Sequence, residues 1–157
     1  VIPEPDVKQL VEIAYNASNF HKLLCNDKPK IAFLSFSTKG SAEHYRVEKV
    51  KEAVKLFGRK HGDILHDGEL QFDSAIDSQV AKLKSPSSVL KGRANVFIFP
   101  NLDSGNIAYK ITERLGGYSA IGPLLQGLKK PVHDLSRGCK IEDIVLVSAI
   151  SALQKKE

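Results

Sequence analysis

The run Lys30-Ile31-Ala32-Phe33-Leu34-Ser35-Phe36 is short and rich in large apolar residues. It is followed by the cluster Ser37-Thr38-Lys39-Gly40-Ser41, whose residue types are typical of a turn. A strand that is buried on both faces has such a continuous apolar pattern. From Glu43 to Lys60 apolar residues then recur at helical spacing. The run therefore predicts a buried strand that leads through a turn into a helix.

Helices and strands continue to alternate on both sides of this run. Upstream, apolar residues at helical spacing predict an amphipathic helix from Asp6 to Leu24. Downstream, the pattern indicates a weak strand around Ile64 to His66 and a helix near Ser74 to Leu83. Ala94 to Phe99 has the strongest strand pattern, and Pro100 ends it.

The carboxy-terminal part of the chain adds a helix, an extended segment and a last helix. The first helix opens at Asp103-Ser104-Gly105-Asn106, where Asp103 or Ser104 would be the N-cap, and it stops at Gly116-Gly117. A strand or extended segment is expected from Ser119 to Leu128, and the final helix from Glu142 to Leu153. This alternation predicts the α/β class, with a three-layer α/β/α arrangement around a mostly parallel sheet.

Composition argues against several classes of protein. The 157 residues are 42% hydrophobic, which suits one domain with one core. The longest apolar runs are far shorter than the ~20 residues that cross a bilayer, and the amino terminus lacks a signal-peptide pattern. Because the 23 basic and 18 acidic residues are interspersed, nucleic-acid binding is weakly supported, and the net charge of +5 fits small anionic substrates equally well. We expect a cytoplasmic protein with neither membrane nor nucleic acid as its partner.

The cysteines and the first residue add two further expectations. Cys25 and Cys139 lie far apart and no CxxC motif occurs, which indicates reduced thiols rather than a disulfide framework or a zinc site. The chain begins at Val1 and contains no methionine. This predicts a processed product or a fragment.

Loops beyond the carboxyl ends of the strands are the candidate sites, because open parallel sheets bind ligands there. The loop from Ser37 to Ser41 offers hydroxyls, a lysine and a glycine that could hold a phosphate, but the order GxxxxGK[ST] is absent. A loop that only caps the next helix is the favoured interpretation.

A metal site is not predicted. Asp67, Glu69 and Asp73 could coordinate Mg²⁺, but a turn at Gly68 and a helix start near Asp73 explain them better. None of the five histidines has ligand spacing such as HxxxH, and His133 has the most interesting neighbours.

The most informative residues are Ser136, Arg137 and Asp143. An arginine in a tight loop can hold a phosphoryl group through two hydrogen bonds, and a neighbouring serine can donate to an oxygen that gains charge. Asp143 lies seven residues beyond Ser136, where it could act as a general base. By spacing alone, a capped helix beside a surface arginine is about equally good an explanation.

Longer motifs carry a resemblance. Pro131-Val132-His133-Asp134-Leu135-Ser136-Arg137-Gly138-Cys139 closely resembles a motif of the phosphate acetyl/butyryltransferase family, in particular its acetyltransferase branch. Four further stretches match the family in the same order, namely residues 34–41, 67–73, 99–106 and 121–127. The match therefore spans nearly the whole chain.

The resemblance implies an enzyme that interconverts acetyl-CoA and phosphate with acetyl phosphate and CoA by direct attack of the CoA thiol. It implies no metal and no redox cofactor, and it makes CoA a substrate. In the family pattern Asp143 takes the thiol proton, Ser136 hydrogen-bonds the reacting centre and Arg137 anchors the phosphate. The segment that lines the acyl-phosphate side supplies three further substrate-binding residues, Asn106, Tyr109 and Lys110.

Family members are considerably longer, with two α/β lobes and the active site between them. The chain resembles the second lobe of the phosphotransacetylase fold, which is isocitrate/isopropylmalate dehydrogenase-like. Residues 1–128 would form that lobe, and residues 129–157 the active-site turn and a terminal helix that returns toward the first lobe, which is absent from this chain. The resemblance thus implies half of an active site, little activity of the isolated chain, and a homodimer formed through the second lobe.

Two other functions stay open. The first is a phosphate butyryltransferase, because these residues do not reveal the width of the acyl pocket. A non-catalytic acyl-CoA sensor is the second, because related lobes fused to malic enzymes regulate rather than catalyse. The complete set of Ser136, Arg137 and Asp143 favours the enzyme.

Overall fold

One parallel sheet organises the chain. A computed structural model describes residues 1–155, over which the elements follow in the order α1 (Val7–Cys25), β1 (Lys30–Leu34), α2 (Tyr45–Lys60), β2 (Leu65–Leu70), α3 (Phe72–Ile76), α4 (Ser78–Lys84), β3 (Val96–Ile98), α5 (Leu102–Gly116) and α6 (Ile141–Gln154). The strands pair in the order β2-β1-β3, and both pairings are parallel. The predicted α/β class is confirmed.

Alternate side chains of β1 enter two separate buried clusters, one on each face of the sheet. Ile31 and Phe33 pack with residues of α1 and α2, among them Leu10, Val50 and Phe57. On the other face, Ala32 and Leu34 pack with the end of β2, with α3 and with the segment before β3, through Leu70, Ala75 and Leu90. The sheet is therefore the middle of three layers, and its central strand is apolar on both sides.

The predicted turn at Gly68 is wrong, because this glycine lies inside β2. The strand runs from Leu65 to Leu70, well beyond the predicted end at His66. A Cβ atom on Gly68 would lie 2.8 Å from the Phe33 Cβ and 2.8 Å from the Val54 Cγ2. Aspartate, glycine and glutamate are poor strand formers, so here tertiary packing overrides the local preference.

The helix predicted from Ser74 to Leu83 is two short helices. Asp77 has an extended backbone, with φ −107° and ψ 122°, and it ends α3. Its carboxylate then accepts hydrogen bonds from the backbone N–H groups of Gln79 and Val80, at 2.7 and 3.1 Å, and so caps α4. One aspartate thereby separates the helices and starts the second.

The N-cap expected for α5 also differs from the structure, and of the two forms expected for residues 119–128 the strand does not occur. The N-cap of α5 is Asn101, not Asp103 or Ser104, since the Asn101 Oδ1 accepts from the Ser104 N–H at 3.0 Å. No strand forms between α5 and α6 in the described chain, and the region expected to be a strand or extended segment holds Gly122 at φ 135° and Gly127 at φ 75°. These positive φ values interrupt a regular strand.

The division of the chain at residue 128 stays a prediction, and the last two residues of its second part, 156 and 157, lie outside the described residues. Within residues 1–155 no helix is both long enough and apolar enough to span a membrane.

Candidate active site

The loop after β1 is held by a buried carboxylate. Glu69, at the end of β2, is 2% exposed, and its Oε1 accepts hydrogen bonds from the Ser37 hydroxyl at 2.9 Å and the Gly40 N–H at 2.7 Å. Lys39 Nζ forms an ion pair with Asp67. Because these donors already have acidic partners, the geometry favours a structural loop over a phosphate site.

The three acidic residues considered for Mg²⁺ have separate partners. Asp67 pairs with Lys39, Glu69 binds the loop, and Asp73 pairs with Lys84 at 2.6 Å. Across residues 1–155 no group of three or more His, Cys, Asp and Glu side chains is placed to hold a metal ion.

Ser136, Arg137 and Asp143 lie at the entrance of α6, as the spacing predicted. The Cys139 N–H donates to the Ser136 carbonyl at 2.9 Å and closes the turn. Ser136 and Arg137 are exposed, while Asp143 is half-buried. Within residues 1–155 Arg137 has no ion-pair partner, so its guanidinium is available to an anion.

The Asp143 carboxylate is fixed by the backbone. Its Oδ2 accepts from the Lys140 N–H at 2.8 Å, and its Oδ1 has no hydrogen bond to any described residue. A carboxylate in the first turn of a helix is also favoured by the helix dipole. Asp143 is therefore oriented through one oxygen and has the other free to accept a proton.

His133 connects the turn to the body of the molecule. Its Nε2 lies 2.7 Å from the Gln154 Oε1 near the end of α6, and its ring meets the Phe20 ring of α1 edge-on, with centroids 6.3 Å apart. His133 is thus a structural residue that links α1, the turn and α6.

Three predicted substrate-binding residues lie on one face of α5. Asn106, Tyr109 and Lys110 have the spacing i, i+3 and i+4, and all three are exposed. Lys110 Nζ lies 5.0 Å from the centroid of the Tyr109 ring. Among the described residues no hydrogen bond or salt bridge joins this face to the turn at Ser136.

The structure also contains an apolar groove that the sequence pattern did not predict. The sheet order places β2 and β3 on opposite sides of β1, so the crevice between the carboxyl ends of β1 and β3 is the switch point at which such sheets bind ligands. A groove of about 330 Å³ lies there, lined by Phe36, Phe72 and Phe99 among others. Each phenylalanine follows a different strand by one or two residues, a pattern that could have identified the groove.

Known proteins match both the sequence and the fold. Phosphate acetyltransferase of Clostridium acetobutylicum is 51% identical over 154 residues, which are 98% of this chain and 46% of that protein. The EutD phosphotransacetylase structure from Staphylococcus aureus matches with a TM-score of 0.92 and 52% identity, over 98% of this chain and 48% of that one. A branched-chain phosphotransacylase from Enterococcus faecalis matches with a TM-score of 0.81 and 25% identity, over 99% and 57%.

The chain spans about half the length of the curated relatives that it matches. The family model described as phosphate acetyl/butaryl transferase matches residues 1–152. Because this match takes in all the described elements except the end of α6, the chain belongs to the phosphate acetyl/butaryl transferase family.

Proposed function

We propose that the chain is the second lobe of a phosphate acetyltransferase, which transfers an acetyl group reversibly between CoA and phosphate. The observation that carries the proposal is the turn before α6. It combines an exposed arginine that has no acidic partner among the described residues with a serine hydroxyl and an oriented carboxylate, Arg137, Ser136 and Asp143.

The chemistry assigns one step to each of these residues. The sulfur of CoA attacks the carbonyl carbon of acetyl phosphate, the new C–S bond forms, and the bond from that carbon to the phosphate oxygen breaks. Asp143 Oδ1 takes the thiol proton, which makes sulfur the stronger nucleophile as thiolate. Arg137 holds the departing phosphate and Ser136 donates to the oxygen that gains charge. In the opposite direction phosphate attacks acetyl-CoA, and Asp143 returns the proton.

The rest of the site is proposed on the same basis. The α5 face formed by Asn106, Tyr109 and Lys110 lines the acyl-phosphate side, and a first lobe outside this chain completes the cleft. The reaction needs no metal and no redox cofactor, and the enzyme works in the cytoplasm as a homodimer. An exposed apolar stripe along α5 supports the dimer, since its members recur every four residues, Ile107, Ile111 and Leu115.

A single assay tests the activity. The two-lobed protein that the proposal implies is mixed with CoA and either acetyl phosphate or butyryl phosphate, and thioester formation is followed by absorbance. We expect faster turnover with acetyl phosphate. Faster turnover with butyryl phosphate would identify a butyryltransferase, and no thioester with either substrate would favour an acyl-CoA sensor.

Asp143→Asn tests the base. We expect turnover to fall by about 10² to 10⁴, the usual contribution of a general base, with nearly unchanged affinity for acetyl phosphate. Glu142→Gln is the matched control, because Glu142 is an exposed neighbour in the same helical turn. Equal turnover of the Asp143 variant and the unmodified enzyme would remove Asp143 from this role.

A further inference from the structure

A second groove lies between α4 and the loop that leads to β3, and it includes none of the candidate active-site residues. Its volume is about 350 Å³. Three cationic side chains line it, Lys82, Lys91 and Arg93, together with three serines, Ser78, Ser85 and Ser88. No acidic side chain is among the lining residues.

The three cations of the groove have no acidic partner within residues 1–155. Lys84 lies on α4 with Lys82 but differs from the three cations of the groove, because it forms an ion pair with Asp73 at 2.6 Å. Cations that share a groove without a counter-charge concentrate anions there. The charge pattern therefore favours an anionic ligand.

One buried hydroxyl adds a donor to the groove. Ser85 and Ser88 are each only 2% exposed, and the Ser85 hydroxyl already donates to the Ala81 carbonyl at 3.4 Å. The Ser88 Oγ accepts a hydrogen bond from the Leu90 N–H at 3.3 Å, and its own O–H has no acceptor among the described residues. An almost fully buried hydroxyl normally has a partner for its proton. An anion oxygen in the groove would supply one.

The loop that carries these groups is held against its surroundings. Gly92 has φ 70° and packs so closely that a Cβ atom would lie 2.3 Å from the Asp77 carbonyl oxygen. The Ala94 N–H donates to the Ala75 carbonyl at 3.0 Å, and Leu90 is buried beneath the sheet. Because these contacts already hold the loop in place, ligand binding costs less conformational entropy of the backbone.

We propose that this groove binds a small phosphorylated anion with at least two negative charges. Phosphoryl oxygens can accept from several cations and hydroxyls at once, as this lining requires. A nucleic-acid strand is the weaker fit, since it needs a basic track along its backbone with stacking aromatic rings, and the lining of this groove has no aromatic residue. The proposal does not depend on the acetyltransferase function.

The test uses inorganic pyrophosphate as the probe and titrates it into the 157-residue chain by calorimetry. All titrations use an Arg137→Gln background, so that the proposed phosphate anchor of the active site does not contribute. We expect one pyrophosphate per chain, with binding that weakens as salt increases. Amide NMR shifts should centre on Ser78, Ser88 and Lys91.

Charge-removing variants locate the site. Lys91→Asn introduces a residue type that tolerates the positive φ of 52° at this position, and Arg93→Gln replaces the guanidinium with a neutral amide that keeps N–H donors. Each variant should weaken binding by about tenfold, as expected for the loss of one charge-assisted contact. Lys55→Gln is the matched control, because Lys55 is an exposed lysine on α2 outside the groove. We expect no change in this variant.

Three outcomes with pyrophosphate would overturn the proposal, and a fourth comes from an oligonucleotide. The first is the absence of binding, and the second is an equal loss in the Lys55 variant. The third is NMR shifts that centre on residues 136–143 instead. Tighter binding of a single-stranded oligonucleotide than of pyrophosphate would likewise replace the small anion with a nucleic acid.

Discussion

Glu69 shows how one buried charge can position a whole loop. Its carboxylate accepts hydrogen bonds from the Gly40 N–H and the Ser37 hydroxyl, and its backbone carbonyl accepts one from the Lys39 N–H at 3.2 Å. Thr38 adds a second connection, because its hydroxyl accepts from the Gln71 N–H at 2.9 Å. The conformation of the loop after β1 therefore depends on the end of β2.

Glu69→Ala should destabilise the chain by about 2 kcal/mol, since it removes the carboxylate acceptor of the buried Ser37 hydroxyl and of the Gly40 N–H. Glu69→Gln is the control, because its amide oxygen can still accept both hydrogen bonds. We expect it to cost less than half as much. Urea denaturation of both variants measures the free energy of unfolding. An equal loss in the two would show that the charge of Glu69, rather than its acceptor oxygen, holds the loop.

Asp73 makes a pH-dependent contribution. The hydrogen bond from Lys84 lowers the pKa of Asp73 below its ordinary value of 3.8. A carboxylate whose pKa is lowered by folding stabilises the folded state above pH 3.8, and this contribution disappears as the pH falls through the folded pKa. Both side chains are nearly half exposed, at 47% for Asp73 and 43% for Lys84, so the effect should stay below about 1 kcal/mol.

The prediction is a difference in slope. Asp73→Asn and Lys84→Gln should each lower stability slightly at pH 7, and each should lose less stability than the unmodified chain when the pH falls below 3.8. Chemical denaturation at several pH values measures this. A steeper loss in either variant would contradict the sign of the shift.

At the level of helices and strands, local pattern predicted those elements whose partners are apolar. α1, β1 and α2 begin and end close to their expected residues, because continuous or periodic apolar residues dictate which face is buried. β2 is longer than its local pattern predicts, since Asp67, Gly68 and Glu69 form a strand only beside Phe33 and the loop that Glu69 holds. That information lies more than 25 residues away in the sequence.

The candidate site divides in the same way. The turn at Ser136 and the place of Asp143 in the first turn of α6 follow from local spacing, and the structure confirms both. The groove at the switch point cannot be predicted from local spacing, because Phe36, Phe72 and Phe99 come together only when three strands align. Local sequence can thus predict a turn, whereas a cavity between strand ends requires the sheet order.

Gly92 tests how tightly the loop before β3 packs on the start of α4. Gly92→Ala should cost at least about 2 kcal/mol, because it adds a contact of 2.3 Å with the Asp77 carbonyl to the strain of a positive φ. Gly117→Ala is the matched control, with φ 71° and open space around the new methyl group. It should cost about 1 kcal/mol. Thermal unfolding compares the two, and an equal loss would show that the contact is relieved by movement of the loop.

Across the whole molecule, the two buried clusters lie in the first two thirds of the chain and do not include the last two helices. The two clusters draw on residues 7–99, whereas α5 has no buried residue. Exposed apolar side chains continue on α6, where Ile141 is 76% exposed and Val145 is 62% exposed. A surface of this kind is typical of a protein interface rather than of a free monomer face. The core thus accounts for the fold, and the last two helices carry apolar side chains that the described residues leave exposed.

Ile111→Glu tests the dimer that we propose for α5. Ile111 is 53% exposed and occupies the middle of the stripe between Ile107 and Leu115. A glutamate there would place two charges in an interface related by two-fold symmetry, so the dissociation constant of the dimer should rise at least about tenfold. Light scattering after size-exclusion chromatography, at several concentrations, measures the mass.

Thr112→Glu is the control for this experiment, because Thr112 is the exposed neighbour of Ile111. Successive residues of a helix are about 100° apart around its axis, so Thr112 lies outside the stripe. It should leave the mass unchanged. At low protein concentration, where both proteins are monomers, the Ile111 variant and the unmodified chain should have the same melting temperature. An exposed side chain contributes little to the stability of the fold. A monomer at every concentration before mutation, or dissociation caused equally by Thr112→Glu, would exclude the α5 stripe as the dimer contact.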